Sequence, residues 1–318
     1  MTYELAIGDR SYSSWSLRGW LLFEKFGIPV RVRKGDLYSD DLQRLLADFA
    51  PARLVPAIRT PDGEVVGETI AIAETLAERH PDAGIWPADP AARAMARYVA
   101  AEMHSGFRDL RKECPMDLLN SYEDSRPSVA VMADLARLEE IWARARGRFG
   151  QSGKWLFGNY SAADAFFAPV AARIATHNLP VSPLAKDYVD MHLQDHAFRR
   201  WRAMGKAENR VLSVYAMPYK QKPWPGPAPQ PAAGRAVPPR NWHRAGSLHR
   251  ADGSECTHNA DSYRQHPARS AFGRPRRRID DDGVEKRVPG EDVGRLDVLI
   301  HQLDDPQPRL IGVLLTVA

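Results

Sequence analysis

The order of short apolar segments in the first eighty residues constrains the fold more than any other feature of this sequence. Strand-like and helix-like segments alternate there, and two strands follow each other near the end. Pro61, Asp62 and Gly63 separate those two strands and suit a hairpin turn. The predicted elements are strand 3–8, helix 16–26, strand 30–33, helix 40–49, strands 57–60 and 65–67, and helix 69–79. This order predicts a parallel β-α-β unit joined through a helix to an antiparallel hairpin.

The periodicity changes after the third helix. From Asp89 onward the strand pattern is lost, and helical periodicity predicts helices over 90–107, 128–149, 161–177, 183–194 and 195–209. We therefore expect an α/β thioredoxin-like domain over 1–81, followed by an all-α domain over 89–222.

A second change in composition occurs near Lys222. Residues 223–240 are too rich in proline to form a helix, and the chain then stays polar and rich in arginine. A segment of this kind buries too little apolar surface to offset its ordering entropy, so we expect 223–318 to be disordered. The segment has thirteen arginines and one lysine, which is also typical of a GC-rich reading frame translated without selection for folding. A frameshifted C-terminus is therefore the alternative.

Charge and cysteine content exclude several classes of function. The 44 basic and 40 acidic residues nearly balance, so neither nucleic acid nor a membrane surface is indicated as a partner. Cys114 and Cys256 have no companion at the spacing of a metal site or a redox motif. Because the N-terminus also lacks the pattern of a signal peptide, we expect a cytoplasmic protein.

Motifs for metal, phosphate or nucleophilic chemistry are not found in the sequence. It contains no glycine-rich phosphate loop, HExxH, paired CxxC or nucleophile elbow. His192 and His196 lie four residues apart but straddle a predicted helix boundary, so a surface or core-edge role is expected for them rather than metal ligation.

Four local sequences instead point to one family. They are SSWSLR at 13–18, LVP at 54–56, ETIAI at 68–72 and GNYSAAD at 158–164. Together with the domain order, they resemble the soluble glutathione transferase superfamily, and the first motif is similar to that of its zeta class. The resemblance covers roughly residues 1–219. It implies a homodimeric enzyme of detoxification that joins the glutathione thiol to small hydrophobic electrophiles, or a related glutathione-dependent isomerase or reductase. A non-catalytic member that binds ligands or proteins through the same fold is the alternative.

Ser13 and Ser14 lie between the first predicted strand and the first predicted helix. The resemblance implies that a serine here stabilises the glutathione thiolate, with Ser13 first and Ser14 second in order of preference. The unpaired amides and positive dipole of a helix N-terminus favour the same anion. From the residues alone, a serine that only caps the helix stays open. Tyr12 is a further candidate, and Trp15 stands where zeta enzymes have a cysteine.

The other two glutathione motifs follow in the chain. The resemblance implies that Leu54 and Val55 offer backbone groups to the cysteinyl part of glutathione, next to a cis proline bond. It implies that Glu68 and Thr69 hold the γ-glutamyl end at a helix N-terminus. Thr69 stands where serine is commoner, and its extra methyl group predicts weaker binding. Taken alone, the pair Glu68-Thr69 is equally typical of residues that only cap a helix. The fourth motif, with Ser161 three residues before Asp164, predicts a structural capping box.

Overall fold

A computed structural model of the chain describes residues 2–228. The strands are β1 (Tyr3–Ile7), β2 (Val30–Lys34), β3 (Ala57–Arg59), β4 (Val65–Gly67), β5 (Ser121–Tyr122) and β6 (Gln221–Lys222). The helices are α1 (Ser14–Glu24), α2 (Asp40–Asp48), α3 (Thr69–Arg79), α4 (Pro90–Ser105), α5 (Arg108–Glu113), α6 (Val129–Phe149), α7 (Ala162–His177), α8 (Pro183–Gln194) and α9 (His196–Ala207). The rest of the predicted tail and Cys256 lie outside the described residues.

The first third of the described chain is built on a four-stranded sheet of order β2-β1-β3-β4. Strand β1 pairs in parallel with β2 and antiparallel with β3, which in turn pairs antiparallel with β4. Side chains alternate across the sheet. Leu5 and Ile7 of β1 belong to the large core that includes α1 and α3, whereas Ala6 belongs to a smaller core formed with α2. The sheet is therefore covered by helices on both faces, which is the predicted thioredoxin-like fold.

Helix α7 is the centre of the second, helical part. All sixteen of its residues are buried, and it contacts α1, α4 and α8. Most of its side chains are apolar, as expected for a helix that other elements cover on every side. Arg18 of α1 is also fully buried, and its Nε donates to the carbonyl oxygen of Phe166 in α7 at 3.0 Å. This hydrogen bond fixes α1, and with it the sheet, to the helical part.

The predicted elements agree with the structure in order, and the differences are local. Two predictions, helix 69–79 and helix 183–194, match α3 and α8 at both ends. The first helix begins at Ser14, two residues earlier than predicted, because Ser13 caps it. Helix α5 was not predicted. It is only six residues long, too short for the pattern to show its period.

Two further sequence-based expectations were wrong. The loss of strands after Asp89 does not hold, since β5 and β6 pair as a two-stranded ribbon. Each of these strands has only two residues, so neither can show an alternating pattern. His192 is not at the surface or the core edge. It is 1% exposed, in the interior between α8 and its neighbours.

The first residues after β6 pack against the helical part. The Arg202 guanidinium lies 4.3 Å from the ring centroid of Trp224. Arg199 donates from Nη2 to the carbonyl oxygen of Ala228 at 2.9 Å. Within 2–228, no helix is both long and apolar enough to cross a membrane.

Candidate functional site

A cleft of about 230 Å³ opens where the N-termini of α1 and α3 approach the loop between α2 and β3. It is the place where the sequence motifs meet. The cleft-lining residues include all those predicted from sequence, namely Ser13, Ser14, Leu54, Val55, Glu68 and Thr69. Tyr12, Trp15, Leu37 and Tyr38 also line it, and they add aromatic and aliphatic surface. Segments that are far apart in sequence therefore converge on one concave surface of the kind that binds small ligands.

Ser13 caps helix α1 and lines the cleft at the same time. Its hydroxyl accepts the Ser16 amide at 3.3 Å and donates to the Ser16 hydroxyl at 2.7 Å. The Ser16 hydroxyl in turn accepts the Gly8 amide at 3.0 Å. The capping role left open by the sequence is thus observed, and it does not remove Ser13 from the cleft. A ligand anion would compete with Ser16 for the Ser13 proton.

Ser14 is the first residue of α1 and also faces the cleft. Its hydroxyl forms no hydrogen bond with another residue in 2–228, although the residue is only 6% exposed. Ser14 can therefore donate to a ligand without breaking an existing bond. The geometry keeps both serines as candidates for the group that contacts the ligand sulfur.

Tyr12 is the third candidate for the group that contacts the ligand sulfur, but its hydroxyl is used in another contact. The hydroxyl accepts the amide of Leu212 at 3.3 Å, and the ring lies 4.5 Å from that of Tyr215. Burial raises the pKa of Tyr12 to about 12, with the Leu212 hydrogen bond opposing this change. Its phenol serves to hold the segment after α9, and its ring forms part of the cleft wall.

The Val55-Pro56 peptide bond is cis, as the resemblance implied. No backbone hydrogen bond joins Leu54 or Val55 to another part of the described chain. Their amides and carbonyls are therefore available for a peptide-like ligand at the edge of β3. Helix α1 approaches this edge closely at Gly19, where an added Cβ would lie 2.8 Å from Pro56. A side chain at position 19 would push the helix away from the cleft.

Glu68 and Thr69 form the opposite end of the cleft. Glu68 has φ 59°, a left-handed value that non-glycine residues rarely adopt, and it is the residue that precedes α3. Its carboxylate Oε2 lies 3.3 Å from Nε2 of His104. The Thr69 hydroxyl lies 3.4 Å from the other ring nitrogen of His104, and Thr69 is fully buried. Sequence reasoning missed His104, since a lone histidine near the end of a helix carries no motif.

Asp9 fixes the part of the cleft wall that Leu37 and Tyr38 form. The buried carboxylate of Asp9 accepts the amide of Leu37 at 2.7 Å and also pairs with the guanidinium of Arg210. Arg210 donates a second bond, from Nη2 to the carbonyl oxygen of Leu37, at 2.9 Å. The hydroxyls of Tyr38 and Tyr215 lie 3.3 Å apart. The segment that follows α9 thus fixes the position of the Leu37–Tyr38 wall.

Other reactive groups do not gather elsewhere in the described chain. Cys114 is buried away from the cleft, and burial raises the pKa of its thiol to about 12. Burial therefore disfavours the reactive thiolate form of Cys114. No cluster of histidine, cysteine and carboxylate side chains in 2–228 is arranged to hold a metal ion.

The chain is similar to known proteins over this same region. Residues 12–79 match the family described as glutathione S-transferase, N-terminal domain. A probable maleylacetoacetate isomerase of Caenorhabditis elegans is 31% identical over 179 residues, which are 55% of this chain and 79% of that protein. The maleylacetoacetate isomerase of Rattus norvegicus is 28% identical over 180 residues, with the same two shares.

A solved structure shows the same fold. The glutathione transferase homolog from Lodderomyces elongisporus, described with two GSH per subunit, is 17% identical with a TM-score of 0.51. The similarity covers 64% of this chain and 99% of that one. The fold, the family match and the identity to the isomerases agree with one another. This chain belongs to the glutathione S-transferase superfamily.

Proposed function

We propose that the chain is a glutathione-dependent enzyme that binds glutathione in the cleft and activates its thiol for attack on a small hydrophobic electrophile. The observation that carries this proposal is the convergence of the N-termini of α1 and α3 with the edge of β3 on one cleft. Both helix ends offer unpaired amides and a positive dipole, and the strand edge offers peptide groups. An extended anionic peptide with a thiol fits such a surface.

Each part of glutathione has a counterpart in the cleft. The thiolate lies at the start of α1, where Ser13 or Ser14 donates a hydrogen bond to the sulfur. The cysteinyl backbone pairs with Val55, next to Leu54. The γ-glutamyl end lies at the start of α3, where its carboxylate meets helix amides and its ammonium group meets Glu68 beside Thr69. A hydrogen bond and a helix end that favour the thiolate lower the pKa of the bound thiol.

The reaction that follows depends on the electrophile. Conjugation is the first candidate, because a thiolate that lies beside the apolar wall of the cleft can attack an electrophilic carbon directly. Isomerisation is the second, because the relatives from Caenorhabditis elegans and Rattus norvegicus are described as a probable maleylacetoacetate isomerase and a maleylacetoacetate isomerase. In that case the thiolate adds to a conjugated cis double bond, the resulting single bond rotates, and elimination restores the thiolate and the double bond. Isomerisation therefore regenerates glutathione, whereas conjugation consumes it.

Calorimetric titration of the full chain with reduced glutathione tests the binding. We expect measurable heat and an increase in Tm with millimolar ligand. Absence of both would refute the proposed function. Turnover with a chlorodinitrobenzene-type substrate and with a cis maleyl compound then separates conjugation from isomerisation. Binding without turnover of either, or of peroxides, would favour the non-catalytic alternative.

We also propose a homodimer, with the first domain at 1–81 and the helical domain at 89–222. In the family that the sequence resembles, the first domain of one subunit pairs with the helical domain of the other. This pairing supports the proposal. Sedimentation of the full chain tests it. A monomeric mass across the concentration range would contradict the dimer.

A further inference from the structure

His104 joins the two residues that we propose for the γ-glutamyl end of glutathione. It lies in the last turn of α4, thirty-five residues after Thr69, and reaches across to the start of α3. One ring nitrogen faces the Glu68 carboxylate at 3.3 Å and the other faces the Thr69 hydroxyl at 3.4 Å. A single side chain of the helical domain therefore contacts both residues at this end of the cleft.

The hydrogen-bonding capacity of the three groups defines their roles. A carboxylate can only accept, so Nε2 of His104 carries the proton that faces Glu68. In the neutral tautomer that carries its proton on Nε2, Nδ1 is an acceptor and takes the hydroxyl proton of Thr69. The Thr69 oxygen then presents its lone pairs, as the Glu68 carboxylate does. Two acceptors side by side at the start of α3 suit an ammonium group.

The position of the imidazole ring is itself fixed by its neighbours. Its centroid lies 5.0 Å from that of Trp15 with an interplanar angle of 66°, and 6.3 Å from that of Phe166. The His104 carbonyl accepts a hydrogen bond from Nη1 of Arg111 at 3.0 Å. Because the ring is packed on two sides, it presents its two nitrogens to Glu68 and Thr69 from a fixed position.

We propose that His104 is a positioning residue that orients Glu68 and Thr69 toward the ammonium group of the ligand, and so selects thiols that carry a γ-glutamyl group. This inference rests on the proposed function. It assigns no contact of His104 with the reacting sulfur, which lies at the start of α1. Loss of His104 should therefore weaken recognition of glutathione and leave the chemical step nearly unchanged.

Steady-state kinetics of His104→Ala with glutathione and with cysteinylglycine test the selection. With glutathione we expect KM to rise about tenfold, as for the loss of one hydrogen bond to a charged group, with kcat changed less than about twofold. With cysteinylglycine, which lacks the γ-glutamyl group, the variant and the wild type should give the same kcat/KM. His104→Gln should recover part of the loss because its amide can donate to Glu68. The matched control is His196→Ala, at an exposed position at the start of α9, which should change neither value.

A double-mutant cycle with Glu68→Gln gives a second test that needs no truncated thiol. If His104 acts through Glu68, His104→Ala should raise the glutathione Kd about tenfold in the wild type and less than about threefold in the Glu68→Gln background. Equal losses in both backgrounds, or equal losses with both thiols, would overturn the inference and leave a structural role. His104→Gln serves the same cycle if the alanine variant does not fold. Absence of glutathione binding by the wild type would instead refute the proposed function.

Discussion

Helices α1 and α7 each begin directly after a serine, and the two helix ends differ in whether a carboxylate of the protein lies at the positive end of the helix. At the start of α7, the Asp164 carboxylate accepts the amide of Ser161 at 2.9 Å and the amide of Leu156 at 3.3 Å. It also accepts the hydroxyls of Ser161 at 3.1 Å and of Tyr188 at 2.8 Å. This end is fully buried. At the start of α1, the Ser13 hydroxyl meets only Ser16, and the first turn contains no acidic residue.

The difference separates a structural helix end from one that can bind an anion. Asp164 places a carboxylate of the protein at the positive end of α7, so this end is already occupied. Position 16, which corresponds to Asp164 in the same turn of α1, is a serine. The dipole and amides of α1 therefore face the cleft without an internal anion. The sequence pattern Ser-x-x-Asp against Ser-x-x-Ser carries this contrast.

Replacement of Asp164 by alanine should have the largest effect. Four donors that are now bonded to the carboxylate would be left in the interior without an acceptor, so we expect the free energy of unfolding to fall by roughly 3–5 kcal/mol. Urea unfolding of the variant measures this loss. The control is Asp89→Ala, because Asp89 caps α4 from an exposed position with one bond, to the Ala92 amide. Its loss should cost about 1 kcal/mol. Equal losses in the two variants would contradict the contrast.

The next largest effect is on the pH dependence of the unfolding free energy, which groups near the start of α7 control. Burial lowers the pKa of His192 to about 3, and its ring packs 4.6 Å from that of Tyr188, which donates to Asp164. Between pH 4 and 6 the unfolded chain binds a proton at His192 that the folded chain does not, so stability falls as pH falls. His192→Gln should therefore lower the slope of the unfolding free energy against pH by about 1.4 kcal/mol per pH unit in this range.

Asp164 changes stability in the opposite direction over the same range. Burial raises its pKa to about 6, so the folded chain keeps a proton that the unfolded chain loses, and stability falls as pH rises from about 4 to 6. Urea unfolding of the wild type, His192→Gln and Asp164→Asn at pH 4, 5 and 6 separates the two effects. The exposed His196→Gln is the control and should leave the slope unchanged. A slope that His192→Gln does not alter would refute the assignment.

Ser13→Ala tests whether the start of α1 stabilises the thiolate of a bound ligand. If Ser13 donates to the thiolate, its loss should slow the reaction roughly ten- to a hundredfold and leave glutathione affinity nearly unchanged. Loss of the cap should also cost about 1 kcal/mol of stability. Ser14→Ala is the matched variant and should slow the reaction less. The pH dependence of the rate and the thiolate absorbance of the glutathione complex measure the shift in the thiol pKa.

The outcomes distinguish the two serines from a mechanism without either. An upward shift of the apparent thiol pKa in Ser14→Ala alone would transfer the role to Ser14, whose hydroxyl is not bonded to another described residue. No shift in either variant would leave the helix amides as the groups that favour the thiolate, since Tyr12 directs its hydroxyl to Leu212.

The sequence predicted those parts of the molecule that depend on local patterns. Helices α3 and α8 were predicted with their observed ends because caps and periodicity are encoded within each segment. The predicted cleft residues come together because each belongs to a recognisable motif. His104 and Arg210 could not be found in this way. Their partners Glu68 and Asp9 lie far away in the chain, so only the packing of the helical part against the sheet brings them into contact.

The smallest expected effect concerns Thr69, at the start of α3, which is the second helix end in the cleft. Thr69 is fully buried and its hydroxyl is held by His104, while its methyl group restricts rotation about χ1. Thr69→Ser removes that restriction, so the hydroxyl can turn between His104 and the ligand. We expect glutathione Kd to fall by about two- to fivefold with kcat unchanged. Thr69→Val keeps the shape but removes the hydroxyl, and should raise Kd by a similar factor. Calorimetric titration of both variants measures the change. If serine and valine weaken binding alike, the methyl group is needed for packing at the start of α3, and the threonine does not limit affinity.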